Sequence, residues 1–323
     1  MVKRVFGSHF AGFIQQFIEQ KNALGFPYEE SIRILHVFDR FCMDKFPGEM
    51  ALTKELCMAW AVRKEAEQNN SFRNRLMPVR EFARYLNRIG EAAYVLPPDL
   101  SQKGPRHMPH IYSEEEIAAF WHVLDLIRPR GGFPIRHLVI PTIFRLIYCC
   151  GLRPIEARKL RVENVDLDVG KLKIMESKGH KDRIVMMTDD MTELLRQYHQ
   201  QVSRIMPGQE LFFPNSQGHL YTKKWIEKTF RIMWAKTGIP VSTEKPPRIY
   251  DFRHTFATHR LYMWLREGKD VSAQLPYLSA YMGHSQLSDT YYYVHLVPEL
   301  FTAMSGLDFS KYESLLPEVE IDE

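Results

Sequence analysis

No run of apolar residues in this 323-residue chain is long enough to cross a membrane. The longest, "HLVIPTIFRLIYCCGL", begins at His137 and is broken by Arg145, so it falls short of the roughly 18 uninterrupted apolar residues that a span needs and reads as a buried helix. The start, "MVKRVFGSHFAGFIQQFI", is basic but has no sustained apolar stretch and no small-residue cleavage site, which argues against a secretory signal and makes a cytoplasmic location the expectation. Cysteine is scarce. Cys42, Cys57, Cys149 and Cys150 have neither CxxC spacing nor a histidine at metal-ligand spacing, and are expected to be reduced core residues. Internal repeats and low-complexity segments are absent, as is any carboxylate cluster of the kind a two-metal nuclease requires.

The net charge of +4 says little about partners, but its distribution says more. The tail from Leu307 to Glu323 carries Asp308, Glu313, Glu318, Glu320, Asp322 and Glu323 against Lys311, a net of −5 that leaves +9 on the rest. A body that basic suits a polyanion, and equally describes a solvated surface with an acidic tail.

Residues 7 to 90 read as four amphipathic helices: "GSHFAGFIQQFIEQKNALG", "PYEESIRILHVFDRFCMDKF", "TKELCMAWAVRKEAEQ" and "SFRNRLMPVREFARYLNRIG", with Thr53 and Ser71 as N-caps. Together they predict a small all-α domain over 1–96. Its fourth helix sets Arg80, Arg84 and Arg88 four apart beside Arg73, a basic face that is either a solvated stripe or a phosphate-contacting surface. The proline-containing stretch 97–112, with Lys103 and Arg106, reads as an extended basic linker. A second domain, 113–306, opens on "SEEE", where Ser113 and Glu116 have the spacing of a capping box. Within it, helical patterns flank "GKLKIMESKGHKDRIVMM", which alternates on either side of a glycine-containing turn and predicts a β-hairpin. Further helices are expected over 189–204, 222–237, 250–267, 271–282 and 287–305. The fold class is therefore mainly α with one small antiparallel sheet, followed by the acidic tail 307–323.

Three adjacent tyrosines, Tyr291, Tyr292 and Tyr293, stand in the last of these helices. Helical neighbours point about 100° apart, so at most one of them can serve a given site. Four separated elements bear on which: "CCGLRPIEARKL", "ESKGHKDRIV", "RIYDFRHTFATH" and "YMGHSQLSDTYYYVH". In type, order and separation they resemble the motifs of the tyrosine recombinase (phage integrase) family. That family has an arginine in G-L-R-x-x-E, a lysine in a K-G-x-K-x-R hairpin, an H-x-x-R-H element, and L-G-H followed nine residues later by the tyrosine of T-x-x-Y.

Carried over by position, the resemblance implies Arg153 and Arg253 as the paired arginines, Lys178 as the hairpin lysine, His284 as the L-G-H histidine and Tyr293 as the nucleophile. Tyr291 and Tyr292 are then packing residues. The resemblance also implies an N-terminal helical core-binding (SAM-like) domain ahead of a catalytic domain of this family. Tyr250 stands where the family usually has the histidine of H-x-x-R. A phenol can still donate to a phosphate oxygen, but with an ordinary pKa of about 10 it is a poor base at neutral pH. His254 reads as structural.

Attack on a phosphodiester builds negative charge on the non-bridging oxygens, which fixed cationic donors stabilise. Guanidinium groups suit this because they remain charged and offer paired N–H groups, and Glu156, one turn from Arg153, is placed to orient and partly neutralise its partner. Lys178 is assigned as general acid to the leaving 5′ oxygen and His284 as a donor to the phosphate. A 3′-phosphotyrosine on Tyr293 conserves the bond energy for rejoining, so no cofactor and no metal is expected. The resemblance further implies double-stranded DNA carrying specific half-sites as partner, and a chain that is monomeric in solution and a homo-tetramer on DNA. The segment "FSKYESLLPEV", with Phe309, Tyr312, Leu315 and Leu316, would dock in the neighbouring protomer. Two alternatives remain at this stage: a type IB topoisomerase-like nicking and closing enzyme, and a DNA-binding protein of the same fold with weakened or lost catalysis.

Overall fold

The computed structural model describes residues 5–25, 28–102, 104, 108–175, 182–240 and 246–296. Lys103, Arg106, Lys178 and the tail 307–323 lie outside the described residues. Backbone contacts divide the chain into two units within the stretch read as a linker, at His107 and Met108.

The first unit holds helices α1 (Ala11–Ala23), α2 (Glu29–Lys45), α3 (Lys54–Trp60) and α4 (Asn69–Arg88). Their apolar stripes meet in one core around Phe17, Leu35, Phe38, Leu56, Leu76 and Phe82. Thr53 caps α3 by accepting the amide of Leu56 at 3.3 Å. The helix then stops at Trp60, well short of the 53–68 pattern. The reason is Arg75, whose guanidinium takes the carbonyls of Trp60 and Val62 and a bidentate grip on Glu67, so the chain turns away where the pattern would continue. Ser71 is not a cap. The cap position of α4 falls on Gln68, and Ser71 sits inside the first turn.

One arginine of the expected basic face is also corrected. Arg80 is buried, and its Nε and Nη2 each donate at 2.7 Å to the carbonyls of Leu96 and Pro97, so it ties down the chain leaving the unit instead of facing outward. Arg84 and Arg88 are exposed and Arg73 half-buried on the same helix.

In the second unit α5 (Glu114–Asp125) begins at Ser113 with both bonds of the capping box formed. It packs with α6 (Arg136–Cys149), α8 (Asp189–Ile205), α9 (Lys223–Ala235) and α10 (Asp251–Arg266) around Phe120, Phe144, Phe230 and Phe252. The hairpin forms as β2 (Lys171–Ile174) and β3 (Arg183–Met186), and β1 (Val165–Asp166) adds to β2 to give a three-stranded antiparallel sheet in the order β1-β2-β3. Leu172, Ile174 and Val185 point into the core while Ile184 and Met186 face out, the period-two alternation of a half-buried sheet.

The short α7 (Pro154–Lys159) follows Gly151, whose φ of 57° is one that glycine tolerates. A Cβ there would collide with the ring of Phe256. Of the helix expected over 287–305, residues 297–305 lie outside the described residues, and the part before them is not continuous. It is a single turn, α12 (Ser288–Tyr291), followed by a 3-10 turn at Val294–Leu296, because bonds such as Tyr293 N–H to Thr290 C=O span three residues and tighten the chain. Of the cysteines, Cys42, Cys57 and Cys150 are buried as expected, but Cys149 is exposed, and all are free. Among the described residues no helix is long and apolar enough to cross a membrane, and no group of three metal-ligating side chains occurs.

Candidate active site

The site is organised by the C-terminal end of α11 (Val271–Met282). A helix end leaves its last carbonyls without intrahelical partners, and here each of them is accounted for. Gly283 adopts the left-handed conformation with φ of 66°. Its amide donates to Ala280 O and the amide of His284 to Ser279 O, each at 3.0 Å, which is the Schellman arrangement. The next three carbonyls are taken by three arginines from distant parts of the chain. Arg183 Nε donates to Tyr281 O at 2.8 Å, Arg253 Nη2 to Met282 O, and Arg153 Nη2 to Gly283 O at 3.0 Å. Cations are favoured at a helix C-terminus, where the peptide dipoles leave partial negative charge.

Each arginine has a second anchor. Arg253, in the first turn of α10, is 4% exposed and its Nη1 donates to Gly151 O at 2.6 Å. Arg153 caps α7, with Nη1 on Glu156 Oε1 and its own amide on Glu156 Oε2, both at 2.8 Å. Arg183 of β3 holds the same carboxylate in a bidentate grip, Nη1 to Oε1 and Nη2 to Oε2, again at 2.8 Å. Among the described residues, three guanidinium groups crowd around one carboxylate in a place where water is largely excluded.

The electrostatics follow from this crowding. Burial pushes the Glu156 carboxyl up, but the bonds and charge of Arg183, with smaller help from the Arg153 amide and Arg253, outweigh it and hold the group at about 2. Burial, then the charge of Arg153, bring Arg253 down to about 10, still protonated at neutral pH, with Tyr293 and Glu156 opposing. His284 is pushed down to about 3 by burial and then by Arg253, Arg153 and Arg183, so its imidazole is neutral. Its Nδ1 lies 2.7 Å from Thr290 Oγ1.

Tyr293 is 3% exposed. Its ring contacts two histidines, 5.5 Å from His254 and 6.1 Å from His284, nearly parallel to the latter at 20°. Burial raises its pKa, and the charges of Arg253 and Arg153 act against that rise. Tyr291 and Tyr292 pack against the small core formed by α10 and α11. Tyr250, at the cap of α10, is 38% exposed and lines a cleft of about 450 Å³ together with Arg153, Glu156, Lys159 and Lys173.

The fold thus brings together Arg153, Arg253, His284 and Tyr293, sets Tyr250 on the adjoining cleft, and leaves Lys178 outside the described residues. Arg183 and Thr290 join the site as well, from the elements "ESKGHKDRIV" and "YMGHSQLSDTYYYVH", although neither has a role assigned from sequence. What was missing was their partners, which are far along the chain or depend on how it turns.

Residues 114–299 match the phage integrase family. The chain is 31% identical over 299 residues to the putative integrase/recombinase y4rB of Sinorhizobium fredii, an alignment that covers 91% of this chain and 95% of the relative. It is 28% identical over 244 residues to tyrosine recombinase XerD of Pseudomonas putida, covering 74% and 75%. Among solved structures, the Tn1549 transposon integrase in complex with circular intermediate DNA matches with a TM-score of 0.63 at 14% identity, covering 91% of this chain and 98% of that one. XerH recombinase bound to its palindromic difH substrate matches at 0.59 with 20% identity, covering 84% and 77%; these two likenesses establish the fold alone. The chain belongs to the phage integrase family, that of the tyrosine recombinases.

Proposed function

We propose that this protein is a site-specific DNA recombinase that cuts and rejoins DNA strands through a 3′-phosphotyrosine on Tyr293. The observation that carries the reading is the joint anchoring of Arg153 and Arg253 on the end of α11, next to His284 and within electrostatic reach of the Tyr293 phenol. A phosphodiester seated there meets two guanidinium groups whose orientation is fixed before it arrives, so little reorganisation is needed as charge builds on its oxygens. Neutral His284, its Nδ1 paired with the Thr290 hydroxyl, presents Nε2 to the same phosphate. Attack by the Tyr293 oxygen forms the bond to phosphorus and breaks the one to the 5′ oxygen, which takes a proton from Lys178, while the phenol proton passes to solvent water, from which Lys178 is reprotonated. A second 5′-hydroxyl reverses the step on a new strand.

Arg73, Arg84 and Arg88 supply phosphate contacts from the first unit, joined by Lys103 and Arg106. Tyr250 donates a hydrogen bond to the scissile phosphate from the cleft it lines. The DNA carries specific half-sites, four copies of the chain assemble on two duplexes, and the segment around Phe309, Tyr312, Leu315 and Leu316 joins neighbouring copies. Relatives and structural neighbours named as recombinases, one of them bound to its difH substrate, support the reading.

A nicked suicide substrate tests it. Cleavage lets the short downstream strand diffuse away and traps protein on DNA. The expected result is a covalent adduct stable to denaturation with the natural chain and none with Tyr293→Phe. An adduct that survives that substitution, or none from the natural chain on any site from its own genomic surroundings, overturns the proposal.

A further inference from the structure

We infer that Arg183 is a positioning residue for strand cleavage, acting on the phosphate through Glu156 and Arg153. The inference rests on the proposed function and adds to it a residue that need not touch DNA. The geometry is closed on three sides. Arg183 grips both oxygens of Glu156, Glu156 holds the amide and Nη1 of Arg153, and both arginines end on the carbonyls that flank Met282. Side-chain exposures of 8% for Arg183 and 4% for Glu156 keep water from substituting for either partner. The approach is close enough to exclude a side chain at position 283, where a Cβ would lie 2.9 Å from Arg183 Cδ.

The physical consequence concerns which way Arg153 points. With Arg183 present, Glu156 is a carboxylate whose two oxygens have fixed partners, and the guanidinium of Arg153 has one orientation that satisfies both Glu156 and Gly283. Without Arg183, the buried carboxylate keeps Arg153 and the charge of Arg253 but loses its bidentate partner, and burial shifts it toward its protonated form. A protonated Glu156 no longer holds Arg153 as an ion pair. A guanidinium displaced by about 1 Å costs on the order of 100-fold in rate. Lysine at 183 restores the charge but not the fork, so it recovers only part of the alignment.

The experiment is single-turnover cleavage of the suicide substrate by Arg183→Met and Arg183→Lys over about pH 5 to 8, with DNA affinity and thermal midpoint measured on the same samples. The expected result is a fall of about 30- to 100-fold in cleavage for Arg183→Met with DNA affinity within about threefold. The natural chain should have no acid limb from Glu156, whereas Arg183→Met should gain one, activity falling with pH as the carboxyl takes up its proton, and Arg183→Lys should lie between. Cleavage at the natural rate overturns the inference. So does a loss equal at every pH that tracks loss of folded protein or of DNA binding, which is the outcome for a purely structural residue. If Arg183→Met does not fold, Arg183→Lys carries the same comparison. Failure of the natural chain to form adduct is a different result, and it removes the proposed function itself.

Discussion

Arg253 and Arg153 donate to adjacent carbonyls, those of Met282 and Gly283, although 100 residues separate them in the chain. Two like charges are thereby held side by side in a largely dry place, an arrangement that costs free energy when empty and is relieved by an anion between them. The helix end that holds them also fixes His284 as the second residue past its terminus. One backbone feature therefore sets three of the groups that a phosphate would meet.

Replacing Arg253 with lysine keeps the charge and loses the geometry. A single ammonium cannot reach both Gly151 O and Met282 O in the present bonding, so one buried carbonyl loses its donor. Arg253→Lys is expected to lower suicide-substrate cleavage by about 100-fold or more. Single-turnover gels check this, and a loss under about threefold would show that alignment at this position does not matter.

Thr290 is the described partner of His284 Nδ1. Thr290→Val removes the hydroxyl at nearly constant volume, frees the ring to turn and leaves the tautomer unspecified. Cleavage should fall by about tenfold, while DNA affinity and thermal midpoint change little. A rate equal to that of the natural chain would mean that the imidazole is oriented by something else.

Tyr250 offers a hydroxyl donor from the cleft it lines. Tyr250→Phe is expected to slow cleavage by about 10- to 150-fold, the value of one hydrogen bond to a charged group. Tyr250→His should cleave at least as fast as the natural chain near neutral pH. Phenylalanine matching tyrosine would remove residue 250 from the site.

Much of this site was legible because the chemistry-bearing residues lie in short elements whose spacing survives folding. His284 and Tyr293 are set by local turns, and Arg153 by its place at the cap of α7. Arg183 was not legible, since its meaning depends on Glu156, 27 residues away, and on the carbonyl of Tyr281, 98 residues away. Arg80 was misread for a related reason. Helical periodicity reports which side of α4 an arginine occupies, not whether two backbone carbonyls from a later segment close over it. The same limit applies to α3, whose apolar pattern runs on past the point where Arg75 takes its carbonyls.

The distinction between Arg80 and its neighbours is measurable. Arg80→Ala leaves the carbonyls of Leu96 and Pro97 without their donor and should cost about 1–3 kcal/mol of stability, with the salt dependence of DNA binding unchanged. Arg84→Ala and Arg88→Ala should each reduce the slope of log affinity against log salt by about 1 and leave stability nearly unaltered. Fluorescence anisotropy at several salt concentrations with parallel thermal melts separates the two classes, and a changed slope in Arg80→Ala would return it to the DNA-facing set.

Acid should unfold the second unit in two windows. His284 drops from 6.5 to about 3 on folding, so through that interval the unfolded chain binds a proton that the folded chain refuses, and stability falls as pH falls. Glu156 drops from 4.5 to about 2, which adds a second loss beginning nearer pH 4.5 and continuing to about 2. Both contributions have the same sign, because a depressed pKa in the folded state always means that protons favour the unfolded one. Urea midpoints followed by tryptophan fluorescence should therefore decline already below about pH 6.5 in the natural chain. In His284→Asn the first decline should become shallower, the remainder coming from His259 and His199, which burial also holds below the ordinary histidine value. An unchanged profile in that variant would mean that the imidazole is protonated as readily inside the fold as outside it, and the crowding of cations around residue 284 would not be what keeps it neutral.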